Sequence, residues 1–148
     1  MDSWIIFGLI AAFMFGTSAI AMKLATSNKF YGLDTGLVGI LSALGLTAVF
    51  IVYYFVFSTP SNPLQSNPVG LGLGVLVGIL WGIGNLMVFI ALKNGVEVAK
   101  LTPLYNTNTL IAVVLGILLL HELPNPSHAL KVGLGALLIF AGAILVSY

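Results

Sequence analysis

Hydrophobic residues in this chain come in long runs rather than in the three- and four-residue spacing of a helix half in water. Crossing roughly 30 Å of hydrocarbon takes about 20 apolar residues in a helix. Five segments meet that length, about 3–25, 35–57, 68–92, 101–120 and 128–148. Short polar connections at 26–34, 58–67, 94–100 and 121–127 separate them and carry Gly, Pro, Asn and Asp, the usual helix breakers. The pattern predicts an all-α, polytopic membrane protein of five transmembrane helices, with 1–148 as a single transmembrane domain. Pro68 suits the first position of the third helix, and Ser127 is a candidate N-cap for the fifth.

Composition supports the membrane assignment. The 148 residues are 59% hydrophobic and 6% charged, where a soluble domain carries about 25% charged residues. Five lysines and four acids do not make a water-soluble surface. No cysteine is present, which excludes disulfides and thiolate metal sites, and no basic cluster points to nucleic acid. The start MDSWII lacks the basic region of a signal peptide, and although Ala19-Ile20-Ala21 resembles a cleavage site, cleavage is not expected. Lys23, Lys29, Lys93 and Lys100 fall on one side of a five-span chain, against Lys131 near the other. This bias predicts the N-terminus outside and the C-terminus in the cytoplasm of a cell membrane.

The fourth segment organises the candidate chemistry. Its first half is polar and its second half apolar, in one span read over 101–120. Thr102, Tyr105, Asn106 and Thr109 lie within roughly a 100° arc, with Asn108 just outside it. An unpartnered amide or hydroxyl in hydrocarbon costs several kcal/mol, so such a cluster either joins helices or lines a polar cavity. Its density favours the cavity. Pro103 either starts this helix or breaks one that begins near Val96; a break would free carbonyls to face a solute.

On helix 3, Gly70, Gly74, Gly78 and Gly82 form a ridge that permits close helix packing, with Trp81 and Asn85 on or beside it as packing or cavity residues. Gly8, Ala12, Gly16 and Ala19 make a similar strip on helix 1, continued by Lys23, and Gly135 and Gly142 offer packing positions on helix 5. Lys23 reads first as a snorkelling residue and second as an anion ligand. Glu122, His121, His128 and Lys131 read as solvated boundary residues. No HExxH, DxD-type or GxSxG pattern occurs, so neither an enzyme nor a bound cofactor or metal is expected.

Three stretches carry a family resemblance. These are Phe15-Gly16-Thr17-Ser18 with Ala21-Met22-Lys23-Leu24, then Leu80-Trp81-Gly82-Ile83-Gly84-Asn85 running to Ala91-Leu92-Lys93, and GILLL (116–120) followed by Glu122 and GLGALLIFAGAILVS (133–147). In order and spacing they resemble an EamA-like repeat of the drug/metabolite transporter superfamily. That family usually carries two oppositely inserted five-helix repeats, so the resemblance implies pairing with a second copy or a related half-size subunit into a ten-helix transporter. The implied cavity is lined by the early helices and helix 4, with Tyr105, Asn106, Asn108, Thr109, Asn85, Trp81 and Lys23 as substrate-binding candidates. Amino acids, other small metabolites, nucleotide sugars and amphiphilic drugs are the implied solute classes. Two features depart from the pattern. Thr109 stands thirteen residues before Glu122, where many relatives have proline, and the first helix holds no acid, which disfavours proton coupling by an embedded carboxylate. The expected function is movement of a small polar or amphiphilic metabolite, such as an amino acid, by alternating access as a dimer. A lipid-linked-sugar flippase subunit and a non-transporting scaffold are the alternatives.

Overall fold

A computed structural model describes residues 3–57, 67–122 and 125–147. The uncharged connection expected at 58–67 lies outside the described residues except for Asn67, as do Pro124 and Tyr148. Among the described residues the regular structure is entirely helical: α1 (Ser3–Thr26), α2 (Thr35–Val56), α3 (Pro68–Lys93), α4 (Val98–Tyr105), α5 (Asn108–Leu119) and α6 (Pro126–Ser147). Five stretches are long and apolar enough to cross a membrane, with α4 and α5 together forming the fourth, Val98–Leu119. The chain is a multi-pass integral membrane protein.

Helix starts follow from local chemistry. Asp34 caps α2, its Oδ1 accepting from the Leu37 N–H at 3.0 Å. Asn67 caps α3 by accepting from Val69 N–H at 2.9 Å, with Pro68 opening the helix as expected. At α6 the helix begins one residue before the expected cap. Pro126 occupies the first turn, and Asn125 Oδ1 accepts from both the N–H (3.0 Å) and the Oγ (2.8 Å) of Ser127. Proline's fixed φ is preorganised for a helix start, which moves the capping role back to Asn125.

The chain divides into two compact units, 21–95 and 1–20 with 96–148. Within the first, α2 packs on α3, and Val38, Phe89 and Leu92 are buried with Thr26, Ser27 and Thr35. Within the second, α4 and α5 pack on α6. Its buried positions are small, with Ala19, Gly116, Ala136 and Ala143 allowing backbones to approach closely. Among the described residues nothing packs closely on the glycine ridge of α3. A Cβ placed at Gly70, Gly74, Gly78 or Gly82 would meet no atom within 4 Å.

Candidate functional site

The seven candidate residues divide between the two units, and each group has its own geometry. In the 96–148 unit, the fourth span is two helices rather than the single helix read from its hydropathy. Pro103 lies inside α4 and has no N–H, so the Ala99 carbonyl loses its donor four residues on. The helix nevertheless continues to Tyr105. Asn106 N–H still reaches the Thr102 carbonyl at 3.1 Å, but Thr107 N–H and Oγ1 both donate to the Leu104 carbonyl, at 3.2 and 2.7 Å. Thr109 and Leu110 then bond three residues back, to Asn106 and Thr107. This short run of tighter turns separates α4 from α5 near the middle of a span about 33 Å long.

Tyr105, Asn106, Asn108 and Thr109 all sit at this break. Asn106 and Asn108 are exposed, while Tyr105 and Thr109 are half-buried. None of the four side chains makes a hydrogen bond to another described residue. Thr102, one turn earlier, has an Oγ1 fully removed from solvent and without a partner. Several other hydroxyls in the apolar helices are closed locally. Thr17, Ser18, Thr26 and Ser42 each donate to a carbonyl three or four residues back. The α4–α5 break therefore concentrates polar side chains that no other described residue hydrogen-bonds.

Thr109 also opens onto a shallow recess of ≈ 260 Å³ lined by Ala112, Val113, Ile117, Glu122 and Val132. Glu122 gets there by a reversal after α5. His121 takes a left-handed conformation (φ 53°), and Glu122 N–H donates to the Gly116 carbonyl at 3.1 Å. The carboxylate lies over Gly116, 2.8 Å from where a Cβ would stand. Glu122 is exposed just beyond the end of α5, in keeping with a solvated boundary residue, and it also forms one wall of the recess. The one sequence signal for it is a glycine six residues before the acid.

In the 21–95 unit, Asn85 Nδ2 donates to the Trp81 carbonyl at 2.8 Å, a bond within α3, and Trp81 itself is exposed. Lys23 Nζ donates to the Leu92 carbonyl at 3.1 Å, joining the end of α1 to the last turn of α3. A cation there complements the negative end of the helix dipole. Beside it, Lys93 approaches Asp34 at 3.9 Å. Asp34 is held below the usual carboxylate range, chiefly by the Leu37 N–H, with smaller contributions from other backbone donors and from Lys93. Among the described residues no three His, Asp or Glu side chains converge as metal ligands.

Similarity to known proteins follows the membrane architecture. Proteins of two Bacillus cereus strains and of Bacillus anthracis, each described as a "Putative sugar uptake protein", are 37% identical to the chain over 71 residues. The matched stretch covers 48% of this chain and 25% of each of those proteins. No solved structure matches significantly. The model of the EamA-like transporter family matches residues 2–148, effectively every position read above, and the chain belongs to that family.

Proposed function

We propose that the chain is one five-helix half of a transporter that carries a small, neutral, hydroxylated solute, a sugar or polyol, by alternating access. The observation that carries this reading is the α4–α5 break. In mid-span, Tyr105, Asn106, Asn108 and Thr109 supply amide and hydroxyl groups that the described chain leaves unbonded. Helix breaks at membrane depth are tolerated where they line a polar cavity, and transporter folds place solutes there. The donors and acceptors at the break are uncharged. Lys23, the charged member of the candidate set, donates to Leu92 and so already serves a helix end. Sugar hydroxyls, which both donate and accept, match amides and phenols directly. The description carried by the Bacillus relatives points to the same solute class.

Pairing with a second five-helix repeat, in another copy or a related half, completes the site in this reading. The open glycine ridge of α3 offers the close-packing surface for it. Trp81 and Asn85 stand on that same helix and are the candidates it contributes.

Flux into proteoliposomes tests the proposal. Preloaded vesicles are expected to exchange labelled monosaccharides and to leave labelled amino acids outside. Exchange of amino acids alone, or no exchange of either from a well-assembled sample, overturns it. Because the chain lacks cysteine, a single Asn94→Cys labelled from each side reports orientation in the same vesicles.

A further inference from the structure

The turn between α1 and α2 carries a surface that the transport reading does not use. Its backbone is closed on itself. Ser27 N–H donates to the Lys23 carbonyl, Tyr31 N–H to Leu24, Leu33 N–H to Ala25, and both Phe30 and Gly32 N–H to Ser27, all at 2.9–3.2 Å. Gly32 adopts φ 60°, which makes the reversal possible, and Thr26 and Ser27 are buried beneath it. The Lys23, Leu24 and Ala25 carbonyls near the end of α1 are thus satisfied without water, so this end tolerates a poorly hydrated setting.

On this closed turn the side chains point outward. Phe30 is 56% and Tyr31 79% exposed. Lys29 is exposed beside them and forms no ion pair with a described residue. The one acid of the turn, Asp34, is engaged by Leu37 N–H and Lys93, so it does not neutralise Lys29. Since α1 and α2 are both membrane spans joined by residues 27–34, the turn sits at the bilayer boundary. Aromatic rings favour that level, and a lysine there is drawn to anionic lipid.

We propose that Lys29, Phe30 and Tyr31 form a lipid anchor. The two rings seat at the glycerol level of the leaflet, and the Lys29 ammonium binds the phosphate of an anionic phospholipid. The anchor stands whether or not the solute is a sugar.

The test uses the full chain carrying Trp4→Phe, Trp81→Phe and Tyr31→Trp, so that a single indole reports from the turn. It is reconstituted in phosphatidylcholine containing phosphatidylglycerol, and quenching by the brominated form of each lipid is compared. Brominated phosphatidylglycerol is expected to be preferred about five-fold, the enrichment one lysine near an anionic surface supplies. Lys29→Gln is expected to remove that preference, and bromines high on the acyl chain should quench more than bromines near its end. Equal quenching by the two lipids, a preference that survives Lys29→Gln, or an indole reached by aqueous iodide but not by brominated lipid overturns the proposal. If the triple substitution fails to assemble, native mass spectrometry of the otherwise unaltered chain decides instead. Lys29→Gln should retain less phosphatidylglycerol, and equal retention refutes the anchor.

Discussion

Two interruptions of helix in this chain are built on opposite principles. At 27–34 the backbone wraps over the end of α1, its N–H groups meet the exposed carbonyls, and the buried Thr26 hydroxyl returns to Met22. At the α4–α5 break three-residue turns and the Thr107 hydroxyl close only part of the backbone, since Pro103 leaves Ala99 without its helical donor, and the side chains are not closed at all. Tyr105, Asn106, Asn108 and Thr109 have no described partner, and the Thr102 hydroxyl is buried alone. In a bilayer that difference decides the meaning of each. A boundary turn gains by finishing its hydrogen bonds, whereas polarity left open in mid-span is stabilised only by something from outside the chain.

Substitutions at each interruption sharpen the contrast. The largest effect is expected from Asn106→Ala, which should lower solute flux about ten- to a hundred-fold while leaving the amount of assembled protein unchanged, as loss of a hydrogen bond to solute implies. Activity that falls only in step with assembly would make Asn106 a joint between helices. Lys23→Met acts on the other side of the comparison. Losing a charged hydrogen bond at the end of α3 should cost about 1–2 kcal/mol of stability, read as a lower midpoint of thermal unfolding in detergent. A flux defect at unchanged midpoint would move Lys23 to the solute site. Thr102→Val should stabilise the protein by up to about 1 kcal/mol, because a hydroxyl buried without a partner is replaced by a methyl of similar shape. Destabilisation would show that the Thr102 hydroxyl makes a hydrogen bond after all.

The smallest effect concerns Asp34. Its carboxyl is depressed in the folded chain, so the stability it adds is present above the ordinary aspartate range and is lost as pH falls through the lower, folded value. Asp34→Asn keeps the helix cap and loses this pH dependence. Unfolding midpoints measured at neutral and at strongly acidic pH should therefore converge between the two proteins as acid is added.

The five spans were legible because a run of about 20 apolar residues has few uses outside a bilayer. The family, too, was visible in the spacing of its glycines and of Glu122. The fourth span shows where that legibility ends. Pro103 announced a disturbance, but the interruption falls at Asn106 and Thr107, since removing one hydrogen bond does not stop a helix until a competing bond, here the Thr107 hydroxyl on Leu104, captures the carbonyl. Glu122 entered the recess through a left-handed His121, a conformation that no histidine announces in sequence. Lys23 could be read as snorkelling or binding, because its partner carbonyl lies 69 residues away.

That separation has a consequence in time. Lys23 is made and inserted well before Leu92, and at about 5–20 residues per second the wait for the carbonyl lasts several seconds. During the interval the ammonium at the end of α1 is a translocation barrier, holding its end of the nascent helix on the side where lysines are retained. Once α3 arrives, the same charge is withdrawn into a helix end. One residue thus contributes first to the lysine bias expected to orient the chain and afterwards ties the ends of two of its spans together.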